Sequence, residues 1–253
     1  MIAERLALRA RKLTAIGDFA LQFARTNAQA LLVPALLCAV PAAALAICLS
    51  DNEAFWVWCL LGATLRVTSA PLTLACADLA VRPATALGPN LRVCVARMPV
   101  LIGVGVADAA LRCVTLGLSS ALFLFAPEVT LLERGGVGAT VARSRKLLGA
   151  VPLRTIAMLA LALLVPAWGA LAGELACNAL LELWSIPWRA HGLENLGISG
   201  PALAGAAFAE AGWTIVRFLV YLDCRTRAEG WDLQLQCQAL VERHQAEKNR
   251  RAA

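Results

Sequence analysis

Five long apolar runs, at 30–49, 55–80, 98–132, 151–172 and 201–222, dominate the chain. An α-helix needs about 20 apolar residues to cross the hydrocarbon core of a bilayer, roughly 30 Å thick. No open sheet or bare loop can cross it, because the backbone polar groups would lose water without gaining a partner. The runs therefore predict an all-α, polytopic transmembrane bundle. Composition points the same way: 60% of the 253 residues are hydrophobic and 16% charged, against about 45–50% and 25% in soluble domains. The same figures exclude an intrinsically disordered chain, a collagen-like repeat and a small disulfide-stapled secreted module.

The run at 98–132 is too long for one straight span and short for two, so the flanking charges have to arbitrate. Arg5, Arg9, Arg11, Lys12 and Arg25 precede the first run, and Asp51 and Glu53 sit in the loop after it. Arg82, Arg92 and Arg97 precede the third run, Arg134, Arg143, Arg145, Lys146 and Arg154 follow it, and the tail carries Arg225, Arg227, Arg243, Lys248, Arg250 and Arg251. Basic loops stay cytoplasmic, which places both termini inside and requires 98–132 to return to its starting side. The expectation is about six spans, at 30–49, 55–80, 98–114, 117–132, 151–172 and 201–223. The alternative is five spans plus a re-entrant hairpin buried among them. Each half of the divided run would be about 25 Å long at 1.5 Å per residue, which is compressed.

Residues 1–29 read as a retained, basic amphipathic cytoplasmic segment, with Ile2, Leu6 and Leu13 on one stripe beside Arg5, Arg9 and Lys12. Residues 224–253 read as a cytoplasmic helical tail. Trp56, Trp58, Trp184 and Trp188 fall on the predicted outer side, where indole rings favour the interface. The connection at 173–200, with Glu174, Glu182, Arg189, His191 and Glu194, reads as an outer interfacial helix and loop. The predicted location is the bacterial inner membrane, multi-pass. Arginine supplies 20 of the 23 basic residues, which fits a GC-rich genome.

Charges inside apolar spans need a reason, since each costs about 2.5–3.5 kcal/mol on insertion scales. They are Arg66, Asp108, Arg112, Glu210 and Arg217; Glu128, near the inner end of its run, is assigned to the cytoplasmic rim. Asp108 and Arg112 are four apart and Glu210 and Arg217 seven apart, so each pair shares a helix face. Ion pairs that hold helices in register are the first explanation and a solute pathway the second; three arginines against two acids would make such a pathway anion-selective.

Cofactor and catalytic chemistry have little to work with. None of the nine cysteines forms a Cys-x-x-Cys pair, and Cys38, Cys48, Cys59, Cys76 and Cys113 sit in apolar runs as small hydrophobes. His191 and His244 lack ligand-like neighbours, so no metal and no cofactor is expected. Asp78 and Asp223 at the inner rim are a conceivable metal-binding pair, yet Arg82 and Arg227 lie one turn from them and ion pairing is the expected use of both. Gly135-Gly136-Val137-Gly138 is not followed by the Gly-Lys-Ser/Thr of a phosphate loop and reads as a helix break. The helix after it is expected to lie along the cytoplasmic headgroups.

The most structured motif joins the last span to the tail: Tyr221, Asp223, Arg225, Arg227, Glu229, Gly230, Asp232 and Leu233. Asp223 is set to face Arg227, and Arg225 to face Glu229. Gly230 can cap the helix and Asp232 can start another. This junction, with Pro127-Glu128, Glu133 and Arg143-Ser144 upstream, resembles bacterial polytopic proteins of the glycerophosphodiester phosphodiesterase membrane-domain family. The resemblance covers roughly 127–236, and the earlier half agrees in hydropathy alone. It implies a six-helix integral membrane module, sometimes fused to a phosphodiesterase and often without an established activity. The chain departs from the pattern in its compressed third and fourth spans, and it lacks the histidine and carboxylate cluster of the catalytic domain.

The function expected from the sequence is a non-enzymatic membrane scaffold or accessory subunit working through its cytoplasmic rim. Its expected partners are the anionic headgroups of the cytoplasmic face and a protein or second copy of the chain, not nucleic acid. A transporter or channel built on the five intramembrane charges is the alternative, and a lipid-modifying enzyme the third reading.

Overall fold

The structure is a computed structural model and describes residues 13–48, 54–82, 84–115, 122–149, 152–187, 190 and 199–229. Helices supply the architecture, and no strand occurs among the described residues. The first, α1, runs Leu13–Thr26 and buries Ile16, Ala20 and Phe23, which join the cluster containing Phe218, Leu219 and Leu222. The basic stripe of Arg5, Arg9 and Lys12 lies outside the described residues. Asn27 alone separates α1 from α2, Ala28–Cys48. Its N–H reaches the Phe23 carbonyl at 3.1 Å and its own carbonyl accepts from Leu31 at 3.0 Å, so the hydrogen-bond ladder barely breaks. Pro34 and Pro41 sit inside α2, each removing one ladder donor.

The second apolar run folds as α3, Ala54–Thr68, and α4, Ala70–Val81. Ser69 lies between them with its N–H on Leu65 at 3.0 Å and its carbonyl under Thr73 at 2.9 Å. Pro71 has no N–H to offer the Val67 carbonyl, a sufficient reason for the break. Asp78 then ties the end of α4 to the start of α5, Leu87–Thr115. Its Oδ2 accepts from the Ala86 N–H at 3.1 Å and from Asn90 Nδ2 at 2.8 Å, satisfying a donor that a helix start leaves without an intrahelical partner.

The 98–132 run does not form two matched spans in its described part. Its first portion belongs to α5, one continuous helix of 29 residues. After residues 116–121, which are outside the described set, the chain makes a turn at 122–125, a single α-helical turn α6 at Ala126–Glu128, and a π turn at Val129–Glu133. All of 123–131 is buried. Irregular backbone is tolerated in a membrane protein where other helices cover it, and here they do. Of the expected span at 117–132, the described part, 122–132, is thus a turn, one α-helical turn and a π turn rather than a regular helix.

Arg134 closes the π turn in the left-handed region, at φ 57°, and Gly135 and Gly136 lead into α7, Val137–Gly149. Then come α8, Pro152–Leu183, and α9, Gly200–Glu229. Helix α8 continues well past residue 172, so the first part of the expected 173–200 connection is helix. Beyond it Ser185 turns the chain at φ 55°, and Asn178 holds Ala190 at both backbone groups, by Oδ1 to N at 2.8 Å and Nδ2 to O at 3.3 Å.

Helices α8 and α9 meet backbone to backbone through Gly169, Gly173 and Gly205. A Cβ on Gly205 would run into the Gly169 carbonyl and stand 2.8 Å from the Gly173 Cα; one on Gly169 would stand 2.6 Å from the Gly205 carbonyl. Small residues four apart permit this approach between membrane helices, where packing rather than water exclusion drives association. Helix α9 is enclosed by α1, α2, α4 and α8, while Leu32 and Val33 of α2, Val95 and Ile102 of α5 and Leu163 and Leu164 of α8 point outward exposed. An apolar exterior around a polar-containing interior is the pattern of a bundle in lipid. Among the described residues, five helical stretches are long and apolar enough to cross a membrane, at 28–45, 60–81, 87–111, 155–183 and 200–228.

Candidate functional site

Helix α9 carries Glu210, Thr214, Arg217, Tyr221 and Arg225 at intervals of three or four, which places them along one face. At the middle of that face Arg217 is 0% exposed. Its Nε donates to Glu128 Oε1 at 2.7 Å, its Nη1 to Glu210 Oε1 at 3.0 Å and its Nη2 to Ser69 Oγ at 3.2 Å. The expected Glu210–Arg217 pair is formed. Glu128 is not a rim residue as expected from its place near the end of the run: it is 0% exposed, because the chain carries it inward on α6.

A second pair lies beside the first. Arg66 Nε donates to Asp108 Oδ2 at 3.4 Å and Arg66 Nη1 to the Leu124 carbonyl at 3.3 Å. The expected Asp108–Arg112 pair lies outside the described residues, since the Arg112 side chain on α5 is not among them; Arg66 brings Asp108 a partner from α3. Ser69 joins the two pairs, donating from Oγ to the Arg66 carbonyl at 3.1 Å while accepting from Arg217. Glu128 adds a third acid to Asp108 and Glu210, so the excess of arginine that favoured anions is gone. Glu128 Oε2, although buried, has no hydrogen-bond partner among the described residues.

The π turn sets the next contact. Tyr221, one turn after Arg217, donates its hydroxyl to Glu133 Oε1 at 2.8 Å. Glu128 and Glu133 are five apart, whereas the α9 residues they meet are four apart. An i→i+5 turn brings residues of that spacing to one side, which an ordinary α turn would not. Glu133 also accepts from Arg143 Nε at 2.7 Å, and Arg225 Nη1 reaches the Tyr221 hydroxyl at 3.4 Å. Phe125 stacks edge-on against Tyr221 with ring centroids 5.9 Å apart. The motif residues Glu128, Glu133, Arg143, Tyr221 and Arg225 thus converge around α9. Ser144 packs into the same region from α7, buried, its Oγ without a hydrogen-bond partner among the described residues.

Asp223 and Arg227 pair at 2.8 Å as expected. Asp78 and Arg82 do not: the Asp78 carboxylate serves Ala86 and Asn90, and Arg82 meets Asp78 through its backbone N–H. Asp78 and Asp223 are thereby engaged in separate contacts. The side chain of Glu229, together with Gly230, Asp232, His191 and His244, lies outside the described residues, and with them the expected Arg225–Glu229 pair and helix cap. Among the described residues no group of three His, Cys, Asp or Glu side chains is placed to hold a metal. Cys38, Cys76, Cys94 and Cys224 are buried and form no disulfide among the described residues.

Sequence reasoning missed Ser69, which connects the two ion pairs, and nothing local marks it. It also missed Gly169 and Gly173, for which the Gly-x-x-x-Gly spacing is a legible signal, and Gly205, which has no glycine four residues away. Taken together, fold and site define a polytopic α-helical membrane protein whose central helix is held by a buried ion network. No family model, no curated protein and no solved structure matches this chain.

Proposed function

We propose that the protein is a non-enzymatic scaffold or accessory subunit of the bacterial inner membrane, with both termini cytoplasmic, that engages a partner protein through its cytoplasmic rim and tail. One observation carries this reading: Arg217, wholly buried, joins α9 to Glu128 of α6 and to Ser69 between α3 and α4. An intramembrane arginine used this way is a fastener between helices, which leaves the rim as the surface with chemistry to offer. The test is to purify the full chain from its native membranes in mild detergent after crosslinking and compare it with a chain lacking 231–253. A stoichiometric partner lost on truncation supports the reading. A partner retained unchanged, or a protein that emerges alone, counts against it.

Glu128 Oε2 favours a second reading, in which the network lies on a solute path. With Asp108, Glu128 and Glu210 against Arg66 and Arg217 among the described side chains, the solute would be a cation or proton rather than an anion. Uptake by proteoliposomes that vanishes in Glu128→Gln, with folding intact, would establish it over the first.

A further inference from the structure

Among the described residues the inner rim holds more cations than the acids there engage. Glu133 is engaged by Arg143 and Tyr221, Asp223 by Arg227, and Asp78 by Ala86 and Asn90. Arg134, Arg145 and Lys146, by contrast, are exposed and their side chains have no partner among the described residues.

Helix α7 gives these cations a defined setting. It turns Thr140, Ser144, Leu147 and Leu148 into the protein, and Thr140 is fixed to Thr130 of the π turn at 3.2 Å. The opposite face exposes Ala139, Ala142, Arg145 and Lys146. The Arg134 turn at its start is held by Arg97, whose Nη1 donates to the Arg134 carbonyl at 3.2 Å. Both ends of α7 are tethered to membrane-embedded parts: the buried π turn lies just before it, and the apolar stretch 155–183 begins a few residues after it. The helix is thus confined to headgroup depth, with its cations on the outer face. Phospholipid phosphates, present at high density at that depth, match this charge better than an acidic protein, which would have to reach between them.

We propose that the exposed face of α7 with the Arg134 turn is a docking surface for anionic phospholipid headgroups of the surrounding membrane. It stands independently of the partner-protein reading, since it requires neither the tail nor a second protein.

Native mass spectrometry of the full chain, offered phosphatidylglycerol or phosphatidylcholine, tests it against R134Q/R145Q/K146Q and against a chain lacking residues 1–12. The three substitutions are at exposed positions whose side chains have no partner among the described residues, so folding is preserved. The wild-type protein should retain phosphatidylglycerol in preference to phosphatidylcholine. The triple variant should lose that preference by on the order of a hundredfold, at about fivefold for each cation near an anionic surface; removing 1–12 should leave most of it. Equal retention of both lipids by the wild-type protein would overturn the proposal. So would a preference that survives the triple substitution but is lost with residues 1–12, or preferential capture of an acidic peptide over phosphatidylglycerol.

Discussion

Replacing Arg217 by methionine removes three hydrogen bonds at 2.7, 3.0 and 3.2 Å and leaves Glu128 and Glu210 buried without their shared cation. The carboxylate bonds are charge-assisted, each worth about 1.5–3 kcal/mol net. Breaking a buried ion pair from one side costs about 3–5 kcal/mol, much of it the burden of a stranded charge. Arg217→Met is therefore expected to destabilise the bundle by about 3–5 kcal/mol, a large part of the 5–15 kcal/mol typical of a folded protein. The decisive comparison is the triple variant R217M/E128Q/E210Q, which removes the stranded charges as well and should recover more than half of the loss. Reversible unfolding in mixed micelles of lipid and detergent, followed by circular dichroism over a denaturant series, measures both. A loss under about 1 kcal/mol for Arg217→Met, or a triple variant no more stable than the single one, would refute the view that charge compensation at α9 holds these helices together.

Gly205→Ala forces a Cβ against the Gly169 carbonyl and the Gly173 Cα, and since both obstacles are backbone the helices must separate; a loss of at least about 1–3 kcal/mol is expected in the same unfolding assay. Tyr221→Phe keeps the edge-on contact with Phe125 but drops the hydroxyl between Glu133 and Arg225, a loss of about 1 kcal/mol, with a near-neutral result counting against the contact. Cys48, exposed at the end of α2, should react with a membrane-impermeant maleimide on intact cells in a variant whose other cysteines are serine. A cysteine placed at Arg145 should react only after permeabilisation, and the reverse order would invert the proposed topology.

Much of the architecture is legible in the sequence because lipid is an undiscriminating solvent: a helix that crosses it must be apolar along its length, and hydropathy alone records that. Contacts within one helix are legible too, as the Asp223–Arg227 and Glu210–Arg217 pairs show. Contacts between helices are not. Arg217 and Glu128 are 89 positions apart, and no local periodicity indicates which two faces the fold will bring together. Spacing can also mislead. Asp78 and Arg82 have the separation of a good pair, yet the carboxylate is drawn to a backbone N–H and an amide on the next helix. The charge count erred for a related reason: Glu128 was placed by its distance from the end of an apolar run, which presumes a straight helix, and the chain there is a turn, a single helical turn and a π turn.

That π turn has a meaning for the length of the chain. It is what results when one residue is added to a helical turn while the flanking contacts stay fixed, so the five residues Val129–Glu133 hold one more than an α-helical path would. Deleting a single residue from 129–132 should let the segment relax to ordinary α-helix with the two glutamates four apart, the spacing an α turn itself brings to one side, keeping Glu128 on Arg217 and Glu133 on Tyr221. The two ends of the polar face of α9 are in this sense coupled by a count: one residue lost is absorbed by the turn changing type, whereas one more gained has no such outlet and would separate the interior contact from the rim contact without altering a single side chain in either.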